Sequence, residues 1–589
     1  MAFEAPVKDL MFNIAHIATW AAAPGTPAAA QCDLDVAAAV LEEFGRFCAE
    51  EIAPLNQSGD RVGSRFENGH VHTPPGFREA YAKFVAMGWQ GLQHPFQYGG
   101  QELPRAVGAA ATEILNAANI SFALCPLLTD GAIDALLTFG SAEVKQTYLA
   151  NLVSGRWTGT MNLTEPQAGS DLALVRTRAE RNQDGTYRIT ETKIYITYGD
   201  HDLSENILHL VLARTPDAPR GVKGISLFLV PKFRVDGDGR PGQCNAVRCQ
   251  SIEHKLGVRA SPTALLEFGG ATGILIGEEN AGLEYMFTMM NAARFAVGVQ
   301  GVAIGERAYQ LALSHAKGRL QGRPVDGSSR EAVAIIHHPD VRRMLARMRA
   351  LTEGGRAMAA FAAGWQDLAH HAETSEHRAD VRAVSEFPVP LVKGFCTERS
   401  VETTSAGVQI HGGMGFIEET GAAQHCRDAR ILPIYEGTTA ILANDLVGRK
   451  TLRDGGATAA HIAAMIARTE QDLQHGSPAA QEIAARLSRS RAAFQSVVEH
   501  LIRVSTQDIN AVYAGSVPYL LLAGNLVAGW QLARSAILAE AALARGEDRE
   551  FMAAKIATAL FYAHHILIDT ELQRARVMDG AASLLGAPL

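Results

Sequence analysis

The sequence predicts an α+β chain, mainly α, in which a compact β domain is inserted between helical ones and further helices follow. Three observations carry this. Apolar residues recur at helical spacing from about Asp33 to Arg156, the texture turns to short β-rich runs between about Thr158 and Gly273, and long helical periodicity returns from Glu279. The expected divisions are an N-terminal extension over 1–35, a helical domain over 36–158, a β domain over 159–275, a helical bundle over 276–452 and an added helical domain over 457–589.

Taken in order, Met11 to Ala23 is fairly apolar, but Asn13 and His16 interrupt it and Glu4 and Asp9 offset Lys8. It is expected to be an amphipathic leading helix rather than a signal peptide. The first helical domain should break at Pro74-Pro75, at Tyr98-Gly99-Gly100 and at Pro126. Strands are expected at Tyr187–Thr197, His209–Leu212, Ile225–Val230 and Thr263–Phe268, where β-formers sit between Gly or Asp turns. Long helices follow from Met286 to Gly318, from His338 to His371 and from Ser385 to Gln409. Asp454-Gly455-Gly456 marks a linker, and about four helices come after it, one with Ser477 as N-cap and Pro478 at the first helical position. Val517 to Trp530 could mimic a membrane span, yet Asn525 falls inside it and Gln531 and Arg534 follow, so a core helix is expected.

A chain of 589 residues has room for several cores, with 47% apolar and 20% charged residues, which excludes a disordered or collagen-like chain. The net charge of −8 is spread along the sequence, so the basic field that nucleic-acid binding relies on is missing. Seven cysteines, none in a C-x-x-C pair, point to a reducing compartment rather than to a disulfide frame or a zinc site.

Four segments could carry chemistry. In Met161-Asn-Leu-Thr-Glu-Pro-Gln-Ala-Gly-Ser-Asp171, small residues and hydroxyls could bring backbone N–H groups close to a polar ring or a phosphate. The alternative is an ordinary turn capped by Asp171. Lys193-Ile-Tyr-Ile-Thr-Tyr-Gly199 ends a strand with an aromatic that could cover a heterocycle, or could simply be buried. Gln409-Ile-His-Gly-Gly-Met-Gly-Phe416 could admit a pyrophosphate against bare backbone, or could end a helix. It is not a Rossmann fingerprint, and His411 has no companion at metal-ligand spacing. In Arg427-Asp-Ala-Arg-Ile-Leu-Pro-Ile-Tyr-Glu-Gly-Thr-Thr439, Glu436 follows an apolar stretch and precedes Thr438, a good N-cap for a helix through Leu446. Burial would raise its pKa and the helix N-terminus would lower it, which makes it tunable as a general base; a helix-start glutamate is the alternative.

Together, and in this order, the segments resemble the acyl-CoA dehydrogenase family over about residues 40 to 450. Met87-Gly-Trp-Gln-Gly-Leu92, Tyr98-Gly-Gly-Gln-Glu-Leu-Pro104, His254-Lys-Leu-Gly-Val-Arg-Ala-Ser261 and Ala293-Arg-Phe-Ala-Val-Gly298 match as well. The resemblance implies an N-terminal helical domain, a middle β domain and a C-terminal four-helix bundle holding FAD and an acyl-CoA thioester. The start Phe3–Phe12, the ending Asp445-Leu-Val-Gly-Arg-Lys450 and the added helices are similar to a large bacterial subgroup that includes 3-methylmercaptopropionyl-CoA dehydrogenases and broader fatty acyl-CoA dehydrogenases.

By the same resemblance, Glu436 is the base for the α proton and its N–H polarises the thioester carbonyl. Met161, Leu163 and Thr164 line the flavin, Tyr195, Ile196 and Thr197 cover its ring, and Thr438 touches it. Ser170 meets the CoA portion, and Arg294, Tyr435 and Gly437 lie on the substrate side. Arg319, Gln409, Gly412 and Gly413 reach the adenine and pyrophosphate end of an FAD held by the neighbouring subunit. Two departures stand out: His315-Ala-Lys-Gly-Arg-Leu-Gln-Gly322 lacks a phenylalanine before the glycine and is one residue shorter, and Ala440 replaces a polar flavin contact.

The implied reaction is the β-oxidation step of fatty-acid metabolism, removal of α and β hydrogens to give a trans-2-enoyl-CoA. An electron-transfer flavoprotein would take the electrons, and the enzyme would be a cytoplasmic homo-oligomer, favoured as a dimer, without nucleic acid, metal or transmembrane segment. The alternatives are an acyl-CoA oxidase on the same fold, a DNA-associated alkylation-response flavoprotein and a non-catalytic scaffold. The charge distribution argues against the second, and the intact Glu436 motif against the third.

Overall fold

The computed structural model describes residues 3–18, 32–371 and 375–588. Residues 19–23 of the expected leading helix lie outside the described residues; the helix itself runs Val7–His16. The chain forms two compact units, one made of Met1–Glu43, Pro104–Ala117 and Arg294–Leu589, the other of Phe44–Leu103 and Ala118–Ala293.

The second unit holds a seven-stranded sheet. Numbered along the unit, β1 (Arg65–Glu67) pairs with β2 (His70–His72) and β8 (Phe233–Val235) with β9 (Pro241–Cys244), while the large sheet holds β3 (Trp157–Asn162), β4 (Arg178–Arg181), β5 (Tyr187–Thr197), β6 (Asn206–Ala213), β7 (Ser226–Pro231), β10 (Val247–Ile252) and β11 (Thr263–Ile276), in the order β3-β6-β7-β11-β5-β4, with β10 also on β11. Every residue of β6 and β7 is buried, which suits their continuous apolar runs and central place. The sheet core gathers Ile189, Ile196, Val211, Phe228, Val230, Leu266 and Phe268. β3 was not expected; it is wholly buried and parallel to β6, and its Thr-Gly-Thr lacks the bulk by which strands are recognised.

Two further expectations fail in this unit. The helical region contains a hairpin, Arg65–Glu67 against His70–His72, turned by Asn68 and Gly69, both at positive φ. Pro126 does not break a helix but lies inside Ile120–Phe139, whose start is instead set by Asn119, its side chain accepting from the Phe122 N–H at 3.1 Å. The Pro126 carbonyl accepts from Gln90 Nε2 at 3.2 Å.

The first unit is helical. Arg294–Gly318, the part of the helix Gly282–Gly318 within this unit, packs on the helix Pro388–His411 along a seam of small residues. A Cβ on Gly298 would lie 2.5 Å from the Val392 carbonyl, and one on Gly301 2.9 Å from that of Cys396, so the two backbones touch only because these positions are glycine. Beyond Asp454 there are seven helices rather than about four, the short Ile509–Ala514, Asp569–Asp579 and Ala581–Leu585 being the additions. Ser477 caps Pro478–Ser505 as expected, accepting from the Ala480 N–H at 3.3 Å. Ser516–Ala544, which contains the suspected span, is a core helix with Leu520, Leu526 and Trp530 buried. Two other stretches, Ile120–Phe139 and Arg549–Asp579, reach the length and hydropathy of a membrane span; the first is mostly buried in its unit and the second is interrupted at 566–568.

The leading helix is tied to this unit by buried charge. Arg356 donates to Asp9 at 2.5 Å, to Glu113 at 2.5 and 2.9 Å and to Glu306 at 2.8 Å, and Lys555 donates to Asp9 and, at 2.9 Å, to Glu353. Burial opposes the Asp9 charge, but Lys555 and Arg356 outweigh it and hold that carboxyl at about 2. Removing one partner of such a cluster strands the rest without compensation. Arg356→Met is therefore expected to lower unfolding free energy by about 3–5 kcal/mol, read by denaturant titration; a loss below about 1 kcal/mol, the scale of an exposed pair, would show that the cluster holds nothing in place.

Candidate active site

Each unit presents a half-site. In the sheet unit, β5 carries a bulge opposite Leu265, with Ile196 paired to Ala264 and Lys193 to Leu266. Tyr195 takes a left-handed φ of 60° there, and the kink turns its ring outward, 61% exposed near the end of a half-buried strand. Ile196 stays buried beneath it and Thr197 is half-buried beside it.

The Met161–Asp171 loop is fastened to that strand end. The Ile194 N–H donates to the Thr164 carbonyl at 3.0 Å, and Lys193 Nζ donates to the Leu163 carbonyl at 2.9 Å and to Glu165 at 2.8 Å. Glu165 also accepts from the N–H groups of Arg176 and Thr177 at 2.7 and 3.0 Å. Burial pulls Lys193 down to about 8, with Glu165 opposing it; burial raises Glu165, and Lys193 more than offsets that. Met161 and Leu163 are buried, Thr164 is half-buried, and Ser170 projects into solvent. Asp171 does cap the next turn, accepting from the Ala173 N–H at 2.9 Å, so in this loop the cap and the exposed hydroxyls coexist.

In the helical unit, Glu436 and Gly437 both take left-handed φ, 54° and 98°. For glutamate this is strained, and surrounding contacts must hold it. Arg294 Nε reaches the Glu436 carbonyl at 3.4 Å and Lys393 Nζ the Gly437 carbonyl at 2.5 Å. The Tyr435 hydroxyl donates to Gln300, whose amide donates to Asn116 at 2.8 Å. The Glu436 N–H has no acceptor among the described residues. Burial pushes the Glu436 carboxyl above the ordinary carboxylate range, with Arg294 and Lys393 opposing the rise. Burial likewise lowers Arg294, and it pulls Lys393 down to about 7.

Thr438 takes the N-cap position of the helix Thr439–Val447, but its hydroxyl does not cap it. The Thr439 N–H is instead taken by the Pro433 carbonyl at 3.1 Å, while the Thr439 hydroxyl goes to Glu398 at 2.5 Å. That leaves the Thr438 side chain free for another partner.

Gln409, Gly412 and Gly413 form an exposed helix end, and a Cβ on either glycine would meet no atom within 4 Å. Beside it, His411 stacks on His315 at 4.3 Å, next to a cavity of about 260 Å³ lined by Leu311, Ser314, His315, His411, Met414 and Thr420. Arg319 lies exposed just past the end of its helix, its N–H on the His315 carbonyl at 2.9 Å, and does not line that cavity. Within the sheet unit an exposed aromatic beside a hydroxyl on a strand end, and within the helical unit an N–H without an acceptor among the described residues beside a carboxylate and bare glycine backbone, are each chemically suited to parts of FAD. Sequence reasoning missed Lys193 and Glu165, though both lie in quoted motifs, and missed Gln300 and Lys393 altogether; a lone lysine after Pro388-Val-Pro-Leu-Val392 was the available signal.

Models of the acyl-CoA dehydrogenase N-terminal, middle and C-terminal domains match residues 35–156, 160–271 and 280–451, and a model described as acetyl-CoA dehydrogenase C-terminal like matches 458–588. The chain is 61% identical over 589 residues, with all of both chains covered, to a 3-methylmercaptopropionyl-CoA dehydrogenase of Ruegeria pomeroyi. It is 35% identical to a broad-specificity linear acyl-CoA dehydrogenase of Mycobacterium tuberculosis, covering 96% of this chain and 95% of that one. An acyl-CoA dehydrogenase from Bacillus anthracis, solved with FAD, has the same fold at a TM-score of 0.74 and 22% identity, covering 92% of this chain and 88% of the other. With four family models matched in order along residues 35–588 and a relative 61% identical over the full length of both chains, the chain belongs to the acyl-CoA dehydrogenase family and is an FAD-dependent oxidoreductase of acyl-CoA thioesters.

Proposed function

We propose that the protein dehydrogenates 3-methylmercaptopropionyl-CoA between its α and β carbons, giving the trans-2-enoyl thioester. The observation that carries this is the 61% identity to the Ruegeria enzyme over the full length of both chains, added helices included. Fatty acyl-CoAs of similar reach are the neighbouring substrates, in keeping with the broad-specificity relative.

The chemistry sets what the chain must do. An α C–H beside a thioester is weakly acidic, so its removal needs a placed carboxylate and donors for the charge that grows on the carbonyl oxygen. Glu436 takes the α proton, and its own N–H donates to the thioester carbonyl. Arg294, Tyr435 and Gly437 hold that turn on the substrate side, and Ser170 meets the CoA portion. Met161, Leu163, Thr164, Tyr195, Ile196, Thr197 and Thr438 hold the flavin, and Gln409, Gly412, Gly413 and Arg319 its adenine and pyrophosphate end. Bound FAD supplies the acceptor for the β hydride.

The glycine turn at Gly412–Gly413 faces outward between Met414, 56% exposed, and Phe416, 84% exposed, which suits completion by a second copy. The assembly is a homodimer, and light scattering of the FAD-loaded protein should give twice the chain mass of 63.0 kDa. The free thiols suit a reducing cytoplasm, and an electron-transfer flavoprotein takes the electrons on.

Glu436→Gln should keep the yellow flavin while slowing substrate-driven bleaching by about 100- to 10,000-fold; unchanged bleaching would remove Glu436 as the base. In the wild type, bleaching should slow as pH falls through a value above 4.5, because burial raises this carboxyl and its protonated form accepts no proton. In an anaerobic series of 3-methylmercaptopropionyl-, butyryl-, octanoyl- and palmitoyl-CoA, the thioether substrate should bleach fastest. Faster bleaching by palmitoyl-CoA would move the assignment to long chains, and rapid peroxide release in air would make the enzyme an oxidase.

A further inference from the structure

Lys393 is a buried lysine on the helix Pro388–His411 with no place in the mechanism above. Its ammonium donates to the Gly437 carbonyl at 2.5 Å, the residue after the base. On the other side of the turn Arg294 reaches the carbonyl of Glu436 itself at 3.4 Å. Two cations from two helices therefore hold two successive carbonyls of a backbone that is left-handed at both residues. The helices come this close because Gly298, one turn beyond Arg294, lies against the Val392 backbone, one residue before Lys393. The arrangement is local to one unit and built from groups that burial penalises, so it is a costly way to close a loop unless the charge is used.

We infer that Lys393 is a positioning residue for the base: it fixes the Glu436–Gly437 peptides and places a positive charge beside the Glu436 carboxylate. This rests on Glu436 being the base. Glu436 is faced by Arg294 from one helix, Lys393 from another and Tyr435 within the turn; Lys393 is faced by Glu436, Arg294 and Glu398. Glu398 is engaged by the Thr439 hydroxyl, and Arg294 is further drawn by Asp445. Lys393 is thus the cation that the Glu436 turn shares least with other acceptors. Burial pulls it down to about 7, so above that pH its support of the carboxylate falls away.

The test uses the FAD-loaded full chain and reads the pH profile of anaerobic flavin bleaching at saturating substrate. Lys393→Met should bleach at least about 10-fold more slowly at pH 7, move the acid limb up by about one pH unit or more, and lose the inflection near pH 7. Lys393→Gln keeps a donor for the Gly437 carbonyl and should recover part of the rate while keeping the shifted limb; Lys393→Arg should restore both. A merely structural lysine would change the amplitude of bound flavin or the thermal midpoint and leave the limb where it is. If Lys393→Met does not hold flavin, Lys393→Gln decides, since a wild-type acid limb in that variant overturns the inference. Glu436→Gln run alongside separates the two claims: if it bleaches at the wild-type rate, the base assignment fails, and if it is inert while the Lys393 variants keep the wild-type profile, only the role of Lys393 fails.

Discussion

The constraint on which the site depends is that a carboxylate must stay ready to take a proton where burial works against its charge. Water would stabilise Glu436 as an anion and quench it as a base; an apolar pocket alone would keep it protonated. The chain answers with a partial measure of each. Burial raises the carboxyl, and Arg294 and Lys393 pull it back while each directs an N–H to a backbone carbonyl of the same turn.

The sheet unit meets its own requirement by a related device. The edge proposed to face the flavin is made of two segments, the Met161–Asp171 loop and the end of β5, held in register. Lys193 and Glu165 do this from beneath, fully buried, with the lysine on the Leu163 carbonyl and the glutamate gathering N–H groups as far along as Thr177. A buried pair of this kind adds little net stability over an apolar core, since the desolvation of both charges nearly cancels their attraction. What it does supply is one geometry: Lys193 bridges the Leu163 carbonyl and Glu165, and both Glu165 oxygens are held by N–H groups of Arg176 and Thr177, so the loop is pinned to the strand.

Much of this was legible in residue types. The expected strand Tyr187–Thr197 is β5 to the residue, because its run of β-formers is bounded by the Asp184-Gly185 turn before it and the Tyr198-Gly199 turn after it. Asn68-Gly69 was equally legible as a type I′ hairpin turn, and was hidden by short flanking strands in a helical region. Pro126 misleads because its missing N–H costs the helix only the bond to the Phe122 carbonyl, a loss that burial along most of Ile120–Leu136 outweighs. Thr438 sits at the cap as its type suggests, yet Pro433 closes the turn instead, a choice made by the path of the preceding loop and not by the threonine. Gln300 was out of reach of the sequence, and Lys393 showed only as a lone lysine after an apolar run: their meaning lies in which carbonyl or hydroxyl a neighbouring element brings to them.

The ends of the chain follow from the same physics of burial. A helix of ten residues such as Val7–His16 is too short to persist in water, so it exists only where its face is covered. Phe12 packs on Phe551, and Asp9 enters the Arg356–Lys555 cluster, so the helix is made stable by residues more than 300 positions away. The added helices are no more independent. One continuous core runs from Val299 and Leu391 through Leu446 to Phe494, Trp530 and Val577, with Phe395 and Gly524 in direct contact. Truncation near Asp454 would therefore cut through a core rather than between two, exposing Phe395 and Leu446 on the helices that carry and follow the site. The added helices pack directly on the helix that bears Lys393, Leu520 against Gly394 and Gly524 against Phe395, and so hold it in place.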